Sequence, residues 1–538
     1  MSNPTRAAFR FALLVALAGP LPAAARGLPP YQPPLDAATF DAHLRFLAGD
    51  LLEGRGIGTR GGRLAAAYIE SVFEAAGLRP GSPAGFLQQV PMESFAPDPA
   101  ATIEVAASPR FVLGQGDDFA VINCGQENGR LAAEPLFVGY AIDAPEEGWD
   151  DFKNADLHGR LLIALVNEPG RDDPGLFRGR ALTIHGRWRT KLEEAARRGA
   201  AGMLLVHTDA DAGYPWDVAR TTATKPTLAL ADDPARLPVS GWIREDAARR
   251  IVSAAGMDLD SLRSRAGRRS FTPVPLPVTV TIAAALSRHD VAGTNVVGIL
   301  PGAGESAVVL TAHLDHLGIG RPVEGDSIYN GAIDNGTALA TLLSLAQGYA
   351  RADSASHPTL VFVAADAEEE GLLGSVYQTR HPAVPLDRTV AAINFEMSNP
   401  WGRTRDLLVI GAPYAAFAKL LDRTLTPRHM RVTSDPAPEQ GYMFRSDQLA
   451  WARAGVPAVW IDGGVDYADR PAGWGAAKRA EYRTATYHRP TDEVRPDFDL
   501  SGLVQLAEVA SDLIHEIAAG QASGWKTDPD LLRVKAAR

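Results

Sequence analysis

The pattern of apolar and polar positions divides the chain into regions of different character. From about residue 290 onward, short apolar runs typical of buried strands alternate with segments of helical periodicity. Runs that are apolar throughout indicate a sheet covered on both faces. The pattern therefore predicts an α/β fold with a mixed, mostly parallel sheet flanked by helices. The predicted strands are 294–302, 307–315, 359–369, 389–397, 406–412 and 457–464, and the predicted helices are 336–352, 413–425 and 503–520.

The region before residue 290 has a different texture. Two segments with helical periodicity, 36–49 and 58–78, are joined by a glycine-rich connection. Between about 100 and 275 the apolar runs are short and end in turn residues, which is typical of strands. The runs are 131–142, 160–170 and 200–209, with one amphipathic helix predicted at 190–200. We therefore expect a separate, compact, β-rich module in the middle of the chain.

The first residues have the order of a secretory signal peptide. Arg6 and Arg10 precede an apolar run at 11–18, and small residues lead to a plausible cleavage site after Ala25. The run is too short to cross a bilayer. No later segment has the length and apolarity of a transmembrane helix, so we expect an exported protein, periplasmic or secreted, with no membrane span in the mature chain.

Composition narrows the class of protein only slightly. A length of 538 residues favours two or more domains, and 46% apolar with 22% charged residues is typical of globular proteins. A net charge of −11 disfavours nucleic acid as a partner. The single cysteine, Cys124, cannot form an intrachain disulfide, so stability must come from the core or from bound metal.

Potential metal ligands follow the predicted strands at the points where these strands end. The carboxyl ends of strands in such sheets are where ligands bind. Several carboxylates crowded at one apolar edge would repel each other unless a cation neutralised them. Two imidazoles with three carboxylates form a set suited to zinc. The residues at these positions are His313, Asp315, Asp334, Glu368, Glu369, Glu370, Glu396 and His488.

Five motifs occur in one order: AHLDHLG, YNGAIDNGTA, EEEGLLGS, INFEM and YHRPTDE. Together they resemble the di-zinc aminopeptidases and glutamate carboxypeptidases of metallopeptidase family 28. The middle module resembles the protease-associated domain that many members carry as an insertion. The resemblance implies a signal peptide (1–25), an N-terminal part of the catalytic domain (26–125), a protease-associated insertion (126–275) and the main part of the catalytic domain (276–538).

The resemblance also implies a metal-binding role for five residues. One zinc ion would be bound by His313 and Glu396. The other would be bound by Glu369 and His488, and Asp334 would bridge the two ions. The implied cofactors are therefore two Zn²⁺ ions, for which cobalt or manganese could substitute.

Further residues would support the chemistry of the family. Glu368 would be the general base, taking a proton from a water shared by the ions and passing it to the leaving amine. Asp315 would orient His313, as carboxylates commonly orient metal-bound imidazoles. The Tyr487 hydroxyl would help to stabilise the oxyanion, or the side chain would simply pack.

Some positions depart from the family pattern or add an expectation. Many relatives have Asp where this chain has Glu396, and many have His where it has Gln448. The second histidine of AHLDHLG, His316, is set aside as a ligand because the first histidine is the family's metal ligand. The family often has a non-proline cis bond after the bridging aspartate, so we expect one at Asp334–Asn335.

The end of the peptide that is cleaved depends on the charges near the ions. Glu368, Glu396 and Asp447 would suit a free amine, whereas Arg445 is the one nearby basic candidate for a carboxylate. The sequence thus predicts a secreted di-zinc exopeptidase that removes the N-terminal residue of a peptide or small aminoacyl substrate. A carboxypeptidase or dipeptidase of the same fold, a receptor-like binding protein and a one-zinc glutaminyl cyclase are the alternatives. The oligomeric state stays open.

Overall fold

The structure is a computed structural model that describes residues 31–124, 129–171, 173–221, 225–233, 236–411 and 417–521. The predicted signal peptide lies outside these ranges. None of the helices in the described ranges has both the length and the apolarity needed to cross a membrane.

All six helices that the sequence predicts are present among the described residues, together with seven helices that it does not predict. In chain order they are α1 (Ala37–Leu47), α2 (Arg60–Ala75), α3 (Trp188–Arg197), α4 (Asp209–Ala212), α5 (Trp216–Thr221), α6 (Glu245–Ala254), α7 (Leu259–Ala266), α8 (Thr337–Tyr349), α9 (Leu373–Arg380), α10 (Ala418–Leu425), α11 (Gln448–Arg453), α12 (Trp474–Ala485) and α13 (Ser501–Glu516).

The strands of the same residues belong to one large sheet, two sheets of the central module and two short hairpins. They are β1 (Arg79–Pro80), β2 (Leu87–Pro97), β3 (Thr102–Val105), β4 (Phe111–Gly114), β5 (Phe119–Cys124), β6 (Arg130–Ala133), β7 (Leu136–Phe137), β8 (Asp143–Ala144), β9 (Trp149–Asp150), β10 (Leu161–Leu165), β11 (Gly202–His207), β12 (Thr227–Leu230), β13 (Val239–Arg244), β14 (Val274–Pro275), β15 (Val280–Ala283), β16 (Leu286–Leu300), β17 (Ala307–His313), β18 (Gly318–Val323), β19 (Asp326–Tyr329), β20 (Thr359–Ala365), β21 (Thr389–Phe395), β22 (Asp406–Ile410), β23 (Arg431–Thr433) and β24 (Ala458–Gly463).

The large sheet is parallel at its centre and antiparallel towards its edges. Its strand order is β12-β2-β16-β20-β17-β21-β24-β22-β23, and β1 pairs with β16. Strand β17 runs parallel to β20 and β21, and β21 runs parallel to β24. Antiparallel pairs join β16 to β20 and β22 to β24. The predicted α/β fold with a mixed sheet is confirmed.

Both faces of this sheet are buried because its strands are apolar on both sides. In β17, Val308 and Leu310 pack against one cluster, which includes Leu342 of α8. Val309 points to the opposite cluster, which includes Trp451 of α11. Each buried aliphatic side chain contributes about 1.5–3 kcal/mol relative to exposure, so the central strands are firmly anchored. Their carboxyl ends meet at one edge of the sheet.

The central module is built from two further sheets. One has the strand order β14-β7-β10-β11-β13-β5, and the other has the order β4-β3-β15-β6. Strands β3 to β5 precede residue 126 and β15 follows residue 275, so the pairing favours a module that extends beyond the predicted bounds on both sides. Strand β12 leaves the module and pairs with β2 at the edge of the large sheet.

Candidate metal centre

Three adjacent parallel strands carry acidic and imidazole side chains to one edge of the large sheet. His313 is the last residue of β17, and Glu396 follows directly after β21. Glu368 and Glu369 follow β20, which lies on the other side of β17. Because parallel strands end at the same edge, residues that are distant in sequence become neighbours there.

The first group of potential ligands surrounds His313 and is buried. Its Nε2 atom lies 3.1 Å from Oε1 of Glu396 and 3.3 Å from Oδ1 of Asp334. Ser446 donates a hydrogen bond of 2.5 Å from its hydroxyl to the other oxygen of Glu396. The carboxylate of Glu396 is therefore held with one oxygen towards His313.

The second group surrounds His488 and shares the same aspartate. Nε2 of His488 lies 3.2 Å from Oδ2 of Asp334 and 3.1 Å from Oε2 of Glu369. Asp334 thus offers one oxygen to each group. The structure brings together all five residues for which the sequence predicts metal binding.

The spacing of these donor atoms suits zinc. Zinc bonds to nitrogen and oxygen are about 2.0–2.2 Å long, so neighbouring donors of a tetrahedral site lie about 3.3 Å apart. The four distances around His313 and His488 are 3.1–3.3 Å. Each group also meets the geometric requirement for holding a metal ion, with its donor atoms within 4.8 Å of one another.

The turn that carries Asp334 is fixed from two sides. The Asp334–Asn335 peptide bond is cis, as predicted from the sequence. The Asn335 side chain accepts a hydrogen bond from the backbone N–H of Met397 at 2.9 Å, which ties this turn to the end of β21. Asp492 accepts hydrogen bonds from the backbone N–H groups of Ile333 and Asp334 at 3.1 and 3.0 Å.

A buried arginine holds the loops of the centre from beneath. Arg55 has no exposed surface and donates to five backbone carbonyl oxygens, which uses the full set of guanidinium N–H groups. The acceptors include Leu314, beside His313, and Asp334 itself. No carboxylate of the described residues pairs with Arg55, so its charge stays available to the acidic cluster above it.

The Asp315 carboxylate, which we expect to orient His313, contacts the residues that follow β20 instead. His313 Nδ1 lies 3.0 Å from the backbone carbonyl of Asp315 but 3.7 Å from its carboxylate. The carboxylate instead accepts hydrogen bonds from the backbone N–H groups of Glu368 and Glu369 at 3.0 and 3.2 Å. Asp315 therefore orients His313 through its main chain, and its side chain positions the two glutamates that follow β20.

His316, which we do not predict to be a metal ligand, lies beside the second group. Its Nδ1 atom is 2.8 Å from Oε1 of Glu369 and 4.0 Å from Oδ2 of Asp334. With the proton on Nδ1, His316 donates to the oxygen of Glu369 that faces away from His488. The spacing fits a hydrogen bond that orients Glu369 better than it fits a tetrahedral ligand.

The two imidazoles and the carboxylates stabilise each other's charged forms. Burial by itself would lower the pKa of His313, but Glu396 and Glu368 raise it well above the usual value. His488 behaves alike: burial is outweighed by Glu369 and Asp334, which raise its pKa to about 10. Burial also raises the pKa of Glu368 well above its usual value. Positive charge is thus strongly favoured at both groups.

With this geometry established, the chain can be compared with known proteins. Residues 295–514 match the family model described as "Peptidase family M28". This segment of the chain is similar to peptidase family M28. The family resemblance seen in the five motifs is therefore confirmed.

The individual proteins that match this chain have low sequence identity to it. The chain is 25% identical to leucine aminopeptidase 1 of Arthroderma gypseum over 203 residues, which are 35% of this chain and 54% of that protein. It is 30% identical to a probable leucine aminopeptidase of Trichophyton verrucosum over 191 residues, 34% of this chain and 51% of that one. The chain thus spans about half the length of the curated relatives it matches.

One solved structure extends the likeness in fold. The aminopeptidase from Aneurinibacillus sp. strain AM-1 superposes with a TM-score of 0.50 and 16% identity, covering 89% of this chain and 93% of that one. At this identity the likeness concerns the fold alone. It covers the central module as well as the M28 region, which is consistent with one architecture over most of the chain.

Three predicted neighbours of the M28 centre can now be placed. The Tyr487 ring stacks on His488 with 3.8 Å between centroids, and burial raises the pKa of its hydroxyl well above the usual value. Gln448 is buried and accepts a hydrogen bond from Asn394 at 2.9 Å, so it ties the start of α11 to β21. Asp447 has no exposed surface, which removes it from the groups that could contact a substrate amine.

Residues that sequence reasoning missed form the support of this M28 centre. Arg55 and Asp492 do not stand out by residue type, because each acts through a contact with a distant segment, and His316 was considered only as a ligand and not as a support. A signal existed for two of them: Asp492 lies within YHRPTDE and His316 within AHLDHLG. Arg55 lies in a glycine-rich stretch that reads as a connection.

Proposed function

We propose that the protein is a zinc-dependent aminopeptidase with two metal ions in its centre. One ion would be held by His313, Asp334 and Glu396, and the other by Asp334, Glu369 and His488. The observation that carries the proposal is the sharing of Asp334 between two groups whose donor atoms are spaced at 3.1–3.3 Å. When bound there, zinc would supply Lewis-acid polarisation of the scissile carbonyl and of water.

Glu368 is the proposed general base. Its Oε2 atom lies 4.0 Å from Nε2 of His313, and its side chain is 11% exposed, so it reaches the centre from the open side. The Asp315 carboxylate anchors its backbone N–H. In this position the Glu368 carboxylate would take the proton of the attacking water and deliver it to the leaving amine.

Tyr487 is the proposed hydroxyl donor to the oxyanion. The raised pKa keeps its hydroxyl protonated, which a donor requires. Packing against His488 would also serve to hold that ring, so a Tyr487→Phe variant separates the two roles. Loss of turnover with unchanged metal content supports the donor role.

The acidic surroundings favour a substrate that presents a free amine. Glu368 and Glu396 lie at the centre, with one carboxylate oxygen of each within 4.0 Å of Nε2 of His313. The matched relatives are named leucine aminopeptidases, which supports the same direction and suggests leucine as a first test substrate. The signal-like order of residues 1–25 supports export, which the N-terminal sequence of the mature protein tests.

The test combines metal content with turnover. The purified protein is analysed by mass spectrometry for bound metal and assayed with leucine para-nitroanilide and with its N-acetylated form. We expect two zinc ions per chain and hydrolysis of the free-amine substrate only. Glu368→Gln should keep the metal and lose turnover.

The alternatives give different results in the same experiment. Cleavage of N-blocked peptides without cleavage of free-amine substrates would indicate a carboxypeptidase. A protein that binds no zinc and hydrolyses neither substrate would be a binding protein of this fold, and the proposal would be wrong.

A further inference from the structure

A cavity of about 140 Å³ lies between the central module and the M28 region. The module contributes segments around residues 166–171, 179–188 and 210–214, and the M28 region contributes Glu439, Gln440 and Arg445. The two sides are joined by hydrogen bonds, among them one from the backbone N–H of Leu182 to the carbonyl of Pro438 at 3.1 Å. The cavity is therefore part of a formed interface.

Arg187 and Arg445 are two of the four arginines that line this cavity, and neither makes an ion pair with a described residue. The side chain of Arg187 is half-buried and makes no hydrogen bond or ion pair with any described residue. Burial, followed by the nearby charges of Arg445 and Arg189, lowers the pKa of Arg187 to about 9. Among the described residues, the hydrogen-bond partner of the Arg445 guanidinium is the neutral side chain of Gln440, at 3.2 Å. The charges of Arg187 and Arg445 are thus close to each other, and no described carboxylate forms an ion pair with either.

The acidic residues of the same cavity do not neutralise this pair. Glu168 accepts hydrogen bonds from the backbone N–H and the hydroxyl of Thr183. Asp211 is paired with Arg263 at 3.2 Å. Glu439 makes no ion pair with either cavity arginine among the described residues. The cavity therefore offers positive charge to whatever enters it.

Arg445 and Arg189, whose charges lie near Arg187, are close to the candidate metal centre. Arg445 immediately precedes Ser446, whose hydroxyl holds Glu396. From the other side, Arg189 donates from its guanidinium to the backbone carbonyl of Glu370 at 3.0 Å, next to Glu369. A peptide with its amine at the acidic centre would thus have guanidinium groups within reach of its remaining part.

We propose that Arg187 and Arg445 bind a carboxylate of the peptide substrate, so that short peptides with a free carboxyl group are the preferred class. Guanidinium groups bind carboxylates with paired, charge-assisted hydrogen bonds. The carboxylate is either the C-terminus of a dipeptide or tripeptide or an acidic side chain after the scissile bond. This inference rests on the proposed aminopeptidase function.

The experiment compares substrates that differ only in this charge. The zinc-loaded protein is assayed with Leu-Gly, with Leu-Gly amide and with leucine para-nitroanilide, which carries no carboxylate. We expect kcat/KM for Leu-Gly to exceed that for the amide by about 10- to 100-fold, mainly through KM. Arg187→Gln and Arg445→Gln should bring this ratio close to one while leaving nitroanilide hydrolysis within about three-fold of the wild type.

Matched controls separate charge from folding. Arg110→Gln removes an exposed arginine of the module that is far along the chain from the cavity, and it should preserve the ratio. Arg445→Lys should lose part of the ratio, because an ammonium keeps the charge but not the paired geometry. A further comparison uses the kcat/KM values for Leu-Glu amide and Leu-Gln amide. If these two substrates differ and Leu-Gly and its amide do not, the bound carboxylate is that of an acidic side chain.

A binding measurement keeps the inference testable without turnover. Calorimetric titration of the Glu368→Gln variant with Leu-Gly and with its amide should show tighter binding of the acid. Equal binding and equal turnover of acids and amides by proteins with Arg187 and Arg445 intact would overturn the inference. A zinc-loaded wild type that leaves the nitroanilide intact would instead refute the proposed function, and the binding measurement would still decide the inference.

Discussion

The two halves of the candidate metal centre differ in how the fold supports them. Around His313 the side chains are almost completely buried, with 1% exposure for His313 and 6% for Glu396. The His488 side chain is 33% exposed. His313 ends a central strand, whereas His488 lies on a loop after α12 with a left-handed φ of 57°. One half is therefore buried throughout, whereas the other is open to solvent at His488.

This difference in burial predicts which half should release a bound metal ion more slowly. A ligand at the end of a central strand can move only if the sheet opens, because its neighbours are part of the core. The His488 loop follows α12 and is held by hydrogen bonds such as that from the Tyr487 backbone N–H to the Tyr482 carbonyl at 2.8 Å, and the His488 side chain itself is partly exposed. We therefore expect the ion at the His488 half to exchange faster than the ion at the His313 half.

The strongest disruption is the loss of the shared aspartate. Asp334→Ala removes one ligand from each half, so metal content should fall from two ions to one or none per chain. Metal analysis of the purified variant checks this, with exposed Asp387→Ala as the control that should retain both ions. Two ions retained in Asp334→Ala would show that the halves do not share this residue.

Glu368→Gln should separate metal binding from turnover. The amide cannot accept the proton of water, and the loss of a general base lowers kcat by about 10²- to 10⁴-fold. Metal analysis should still find two ions, and Glu370→Gln, at a neighbouring position, should keep turnover within about three-fold. Near-normal rates in Glu368→Gln would remove this residue as the base.

The contrast between the halves can be tested by removing one histidine at a time. His488→Ala should lose one ion and lower the melting temperature of the metal-free protein less than His313→Ala does, because the His488 side chain is partly exposed. His313→Ala should lose one ion and also lower that temperature by several degrees, because it leaves a cavity and unpaired buried carboxylates. Differential scanning calorimetry after chelation distinguishes them; equal effects would contradict the comparison.

His316→Asn should affect the half around His488 alone, and the effect should be smaller than that of removing a ligand. Loss of the hydrogen bond to Glu369 should weaken the affinity for one ion by about 10- to 100-fold and leave the other unaffected. Competition with a chromophoric chelator measures the two affinities separately. If both affinities fell together, His316 would support the whole edge of the sheet.

Proton release provides the most subtle test. The raised pKa values of His313 and His488 mean that both imidazoles carry protons at neutral pH in the metal-free protein, and binding of metal must displace them. Affinity should therefore fall as the pH is lowered. Titrations in buffers of different ionisation enthalpy should show about one proton released at each half, and an absence of buffer dependence would contradict this.

The candidate metal ligands could be predicted from the sequence because the positions where the strands end can be recognised there. Apolar runs mark the central strands, and His313, Glu369 and Glu396 stand where these runs end. The parallel arrangement then brings them together. The cis bond at Asp334–Asn335 followed from the family resemblance and not from the pattern itself.

The supporting contacts could not be predicted in the same way. Arg55 binds carbonyl groups from segments more than 250 residues away, and backbone acceptors leave no mark in the side-chain sequence. The bounds of the module depend on strand pairing between residues near 103 and 282, which composition does not encode. The carboxylate of Asp315 turns to Glu368 and Glu369, a choice that only the loop geometry decides.

Strand β12 has a mechanical consequence for the module that carries Arg187. Strand β12 pairs with β2 at the edge of the large sheet. The module could therefore move away from the sheet only if the backbone hydrogen bonds between these two strands were broken. A module attached in this way would keep a fixed position relative to the sheet and would not open by a hinge motion. Peptides would then be sorted by whether they fit through the opening already formed.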